Sequence, residues 1–215
     1  MSVRVSYEVN DQIIKDIKRT YSGMKYFDPQ KSNEGFKKLH RLLIAISSYK
    51  DVGYLQGINF IAASFLWHCN EEYAYFLIIR LFEKLRLVKL YSENLQHVEE
   101  KCDDFFENVL EQSSPKIYNN LKEKNIKSTM ILAEWIITLG FSTIPLVNHI
   151  QIFSGLFDGG WNYLFGLLLR FLRTLYPYFE HADFSDTMQL IKSVGHANPP
   201  PEYKVDLNWD SLTRN

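Results

Sequence analysis

Two short stretches hold side chains whose type and spacing could do chemistry. In "IIKDIKRT", Asp16 and Arg19 are three residues apart, so a helix sets them on one face. Arg19 falls where that helix gives way to loop, which lets its guanidinium project. In "GYLQGINF", residues 53 to 60, Gln56 sits between glycines Gly53 and Gly57 at the entrance to an apolar run. Glutamine has no useful pKa and is a poor nucleophile. What it offers is an amide that both donates and accepts hydrogen bonds. Each stretch also has a plainer reading. Asp16 and Arg19 alone make an exposed pair contributing a few tenths of a kcal/mol. Gln56 alone is an amide bonded to backbone at a glycine-flanked turn, with Tyr54 packing nearby.

Other chemistry is sparse. No GxxxxGK[ST] loop is present for nucleotide phosphates, and GxGxxG, HExxH and GxSxG are also missing. The six histidines lack metal-ligand spacing. His68-Cys69 closes an apolar stretch as core residues do, so no metal is expected. Cys69 and Cys102 form no CxxC and are expected as reduced core thiols of an intracellular protein. Glu99-Glu100 and Asp103-Asp104 read as the solvated side of an amphipathic helix. The net charge of −1, from 24 basic and 25 acidic residues, suggests neither nucleic acid nor an anionic membrane as partner.

The elements that must position these residues read as helices, and the fold class is all-α. Hydrophobic content of 46%, with 15% aromatic, marks a folded chain whose 215 residues can bury a sizeable core. Asn10 or Asp11 is expected to cap a short helix running to about Arg19, with Ile13, Ile14 and Ile17 inward. A Gly/Pro/Asn/Ser-rich loop follows, then a helix carrying Phe36, Leu39, Leu43 and Ile46. "INFIAASFLWHC" is apolar all round and reads as a central helix, and a helix opening on Glu71-Glu72 follows it. The next amphipathic segment turns Leu95, Val98, Cys102, Phe105 and Val109 inward. Pro115 starts another helix, and further helices are expected near 128–139, 145–155, 160–175 and 183–194. Residues 135–157 carry no Asp, Glu, Lys or Arg, a length able to span a bilayer. Gly140, Pro145, Asn148, His149 and Gln151 interrupt them, so two buried helices in a soluble protein are expected instead. The proline-rich tail is expected to run extended and be strapped down by Trp209. A lobe boundary is placed near Ser113.

Taken together, the motifs resemble the TBC-domain family of Rab GTPase-activating proteins. Ile13, Asp16 and Arg19 match its Ile-x-x-Asp-x-x-Arg signature. Tyr54, Gln56, Gly57 and Asn59 match Tyr-x-Gln-Gly-Met-Asn, with Ile58 in the methionine place. Leu121 through Trp135 to Pro145 matches its third signature. Two departures stand out. Gln151, Phe153 and Ser154 occupy the places of an Arg-x-Trp-Asp stretch. The family's opening segment, with an Arg and a Trp, is not recognisable, so the chain is expected to begin inside the domain.

The resemblance implies a two-lobed TBC domain over residues 1–215, with an N-terminal lobe of about 1–112 and a C-terminal lobe of about 113–215. It implies that Arg19 is an arginine finger and Gln56 a glutamine finger, supplied in trans to a GTP-bound Rab. Asp16 would hold Arg19, and Tyr54 and Gly57 would set the loop that aims Gln56. No cofactor of its own is implied, since GTP and Mg2+ belong to the GTPase. The location implied is cytoplasmic, peripheral at endomembranes, with membrane proximity only through the Rab. A non-catalytic Rab-binding adaptor and an unrelated helical scaffold are the alternatives.

Overall fold

Ser6 opens the first helix: its side chain accepts from Val9 N and so takes one of the four amides that a helix start leaves unpaired. The structure is a computed structural model and describes residues 5–21, 23–28, 30, 33–51, 53–91, 95–194 and 200–214. Those residues form helices and turns and no strand. Contacts divide the chain into two units, Met1–Asn94 and Leu95–Asn215.

In the first unit, α1 (Tyr7–Arg19) starts one turn before the expected cap. Asn10 is not the cap; its Oδ1 meets His40 Nε2 at 2.8 Å. Ile13 and Ile17 are buried as expected, but Ile14 is half-exposed and Asp16 shares the inner face. The spacing explains this, since positions 13, 16, 17 and 20 line one side of a 3.6-residue helix and 14 does not. α2 (Asn33–Ser47) buries Leu39, Leu42, Leu43 and Ile46 against α3 (Ile58–His68). α3 is the central helix of this unit, packed on α1, α2 and α4 (Glu71–Leu85). Ala62 and Ala63 along it are fully buried, and their small side chains allow close neighbours. Asn70 caps α4 through Tyr73 N, and Arg41 grips Glu71 with two bonds of 2.9 and 2.7 Å. α5 (Leu87–Leu90) ends the unit.

The boundary therefore falls at Asn94/Leu95, not near Ser113. α6 (Gln96–Asp103) packs on α9 (Ser128–Thr138), and that contact draws the whole amphipathic segment into the second unit. Ser113 marks only the junction of α7 (Glu111–Ser113) with α8 (Pro115–Glu123). Between α6 and α7 the backbone is π-helical over Asp104–Leu110. The wider turn shifts the inward face, so Phe105, Phe106 and Leu110 are buried while Val109 is half-exposed.

The charge-free stretch breaks at Leu139 and Gly140, both with positive φ (53° and 82°), and resumes after Pro145 as α10 (His149–Gly159). α11 (Trp161–Phe179) is the long axis of this unit and touches α8, the π-helical segment, α10, α12 (Phe184–Ser193) and α13 (Trp209–Thr213). The tail is strapped down as expected. Trp209 stacks on Phe171, Arg170 Nε donates to Leu212 O at 2.8 Å, and Tyr163 Oη donates to Thr213 O at 2.9 Å. Part of the proline-rich stretch, residues 195–199, lies outside the described residues. Cys102 is buried and both cysteines are free thiols, but Cys69, at the end of α3, is half-exposed and not a core residue.

Candidate functional site

Asp16 is a carboxylate with no exposed surface, which is costly unless its lone pairs are filled. They are. Oδ1 accepts from Gln12 Nε2 at 3.0 Å, from Arg19 Nε at 3.0 Å and from Arg19 Nη2 at 2.6 Å. Oδ2 accepts from Tyr54 Oη at 2.8 Å. The guanidinium is thus fixed along one edge while 52% of the Arg19 side chain stays open to solvent. α1 ends one residue on, where Thr20 turns extended, so Arg19 is the last helical position.

Burial is the main cause that pushes the Tyr54 phenol well above its ordinary range, and its bond to Asp16 adds to this. The phenol therefore remains a donor at neutral pH. Through it the turn carrying Gln56 is tied to α1.

Gln56 is exposed. It occupies the second position of a turn closed by Ile58 N donating to Leu55 O at 3.2 Å. Gly57 follows with φ 119°, a conformation L side chains rarely adopt, which is why a glycine stands there. The buried Gly57 N donates to Asn59 Oδ1 at 2.9 Å. A turn tip followed at once by the rigid, buried α3 presents an amide side chain on a firm base.

The structure brings Arg19, Asp16 and Tyr54 into direct contact and places Gln56 and Gly57 on the turn that Tyr54 anchors. Three residues the motifs did not single out for a role join them. Gln12 was findable from its i, i+4 spacing to Asp16. Thr20 and Asn59 meet across 39 positions at 2.8 Å, which no local spacing signals. Among the described residues no group of His, Cys, Asp and Glu is placed to hold a metal ion. None of the described helices is long and apolar enough to cross a membrane. A cavity of about 370 Å³ in the second unit has Glu99, Asp103, Glu107, Lys122 and Lys127 in its lining; Lys122 pairs with Glu107 at 2.9 Å, and Ser128 Oγ donates to Asp103 Oδ1 at 2.5 Å.

Comparison with known sequences gives the geometry its context. The profile described as the Rab-GTPase-TBC domain matches residues 2–179. The chain belongs to that family. TBC1 domain family member 4 of Mus musculus is 30% identical over 183 residues, covering 84% of this chain and 14% of the mouse protein. GTPase-activating protein GYP5 of Saccharomyces cerevisiae is 31% identical over 131 residues, covering 60% of this chain and 14% of the yeast protein. This TBC chain thus spans about a seventh of the length of either relative. Among solved structures, the Ypt/Rab-GAP domain of Gyp1p matches with a TM-score of 0.78 at 14% identity, covering 99% of this chain and 73% of that one. The shared fold is the all-α TBC fold. Where the TBC pattern departs, Gln151 is exposed, the Phe153 ring lies 5.3 Å from that of Phe141, and Ser154 Oγ donates to Asp158 at 3.3 Å.

Proposed function

We propose that this domain accelerates GTP hydrolysis by a Rab-family GTPase, with Arg19 and Gln56 completing the GTPase's active site in trans. The observation that carries the reading is the Asp16 junction. A buried carboxylate grips one edge of an arginine whose other half is open to solvent, and the same carboxylate anchors the turn bearing an exposed glutamine.

Hydrolysis of GTP needs an oriented water and positive charge on the phosphates as charge develops. An arginine supplied by a partner contributes ~10³–10⁵ in rate, or about 4–7 kcal/mol of barrier. Its planar fork matches phosphate oxygens. Gln56 orients the water in place of the GTPase's own glutamine, since an amide donates and accepts without changing protonation state. Asp16 holds the guanidinium at a fixed angle, and Tyr54 and Gly57 aim the amide. GTP and Mg2+ come with the GTPase, whose GTP-bound form is the partner, and any approach to endomembranes is through it.

The test is single-turnover hydrolysis across a panel of GTP-loaded Rab GTPases, with affinity measured in parallel. The expected result is strong acceleration by at least one Rab pairing, lost in Arg19→Ala, Arg19→Lys and Gln56→Ala with little change in affinity. Replacing the Rab's own water-orienting glutamine by leucine should cost little when this domain is present. Near-normal rates in Arg19→Ala and Gln56→Ala would overturn the reading in favour of a binding adaptor.

A further inference from the structure

A second connection runs beside the Asp16 carboxylate, entirely inside the first unit. At the end of α1 the amide of Thr20 turns back to Ile17 O at 3.1 Å, which leaves the carbonyl of Asp16 without its i+4 amide. The Thr20 hydroxyl fills that vacancy, donating to Asp16 O at 2.7 Å. The same hydroxyl oxygen accepts from Asn59 Nδ2 at 2.8 Å. Asn59 Oδ1 in turn accepts from Gly57 N at 2.9 Å. Thr20 is 1% exposed and Asn59 is 0% exposed, so water does not compete for these bonds.

The ends of this relay are what give it meaning. Thr20 is the residue after Arg19. The amide of Gly57 is the nitrogen of the peptide bond that leaves Gln56, so holding it fixes the plane from which Gln56 departs. Each link has one fitting polarity. A threonine hydroxyl has one proton and gives it to Asp16 O, so its next partner must be a donor. Gly57 N can only donate, so its partner must be an acceptor. The Asn59 amide supplies both at once, a donor through Nδ2 and an acceptor through Oδ1.

We infer that Thr20 and Asn59 are positioning residues that set Gln56 relative to Arg19, acting through the backbone at both ends and touching neither nucleotide nor water themselves. This rests on the reading of the domain as a GTPase activator. Two groups that must reach one transition state from separate elements gain from a rigid, dry tie between those elements. Misplacement by about 1 Å costs on the order of 10²-fold.

The experiment uses the whole 215-residue chain as wild type, Thr20→Val, Thr20→Ser and Asn59→Ala. kcat and KM are measured with a GTP-loaded Rab that the wild type activates, at a temperature where every variant is folded. Thr20→Val keeps the shape and loses the hydroxyl, and should lower kcat by roughly 10- to 100-fold with little change in KM. Thr20→Ser should restore most of it. On an Arg19→Ala background Thr20→Val should lower the rate little further, whereas a loss of folded protein would multiply through unchanged. Hydrogen exchange at the Gly57 amide needs no Rab: it should be slow in wild type and Thr20→Ser, and much faster in Thr20→Val and Asn59→Ala.

Wild-type kcat in Thr20→Val overturns the inference alone. So does a loss that multiplies fully onto Arg19→Ala, or an unchanged Gly57 amide. Failure of the wild-type domain to activate any Rab overturns the functional reading instead, and the Gly57 exchange then decides whether the tie exists.

Discussion

Tyr54 Oη reaches Asp16 Oδ2 at 2.8 Å across 38 positions of sequence, and Arg19 occupies the other oxygen of the same carboxylate. One buried anion therefore joins a helix end to a turn. This arrangement makes the site sensitive to residues that never meet a substrate.

Asp16→Asn keeps an acceptor near Arg19 but removes the charge that holds the guanidinium. Its GTPase activation should fall steeply while Rab affinity, measured by calorimetry, changes little. Tyr54→Phe leaves Oδ2 unpaired and should lower the unfolding free energy by about 1–3 kcal/mol. Full activity in Asp16→Asn would show that the carboxylate does not position Arg19, and unchanged stability in Tyr54→Phe would show that the bond to Oδ2 contributes nothing.

The Tyr54 phenol also gives an alkaline signature. Its folded pKa is raised, by burial first and by Asp16 second. The stability this contributes is complete below the ordinary tyrosine pKa of about 10 and is lost as pH rises above it. The difference in unfolding free energy between wild type and Tyr54→Phe should thus be constant from pH 7 to 9 and shrink above 10. Half-buried Tyr21 and buried Tyr91 are shifted the same way, but they are common to both proteins and cancel. Urea titrations along that pH series would read it directly; a difference that grew with pH would refute the assignment.

Trp135 is 3% exposed, with its ring 4.7 Å from that of Phe171. A Cβ added at Gly140 would lie 3.2 Å from it. Trp135→Ala should cost about 3–5 kcal/mol, as large aromatic truncations in cores do. An unchanged melting temperature would contradict this packing.

The two thiols should separate by reactivity. Burial, with Asp103 and Glu99 nearby, pushes the Cys102 thiol up to about 12. Cys69 is raised by burial too, yet is half-exposed. A disulfide reagent at pH 8 should modify Cys69 slowly and spare Cys102 until the protein is unfolded. Labelling of Cys102 first would reverse the assignment.

Local spacing made much of this visible. Asp16 and Arg19 are three apart, and a glutamine between two glycines at the head of an apolar run is a short-range signal. The helices follow from apolar periodicity, and their breaks from Gly140, Pro145 and Pro115. What periodicity cannot carry is a bond such as Asn59 to Thr20, or the reason a charged Asp16 lies on the inner face of α1. The π-helical turn was hidden because it changes the period itself, turning Leu110 inward where Val109 was expected. The unit boundary was misplaced for a related reason: Ser113-Pro115 looks like a stop, while the packing of α6 on α9 leaves no mark in either segment alone.

The strap of α13 onto α11 has a consequence for synthesis. Tyr163 waits for Thr213, 50 residues later, to fill its hydrogen bond, and Phe171 waits for Trp209. Met1–Asn94, by contrast, is a compact unit whose own residues all precede the second. As the chain leaves the ribosome, the unit bearing Arg19 and Gln56 is made whole first, while the second keeps an unfinished apolar flank until α13 has emerged.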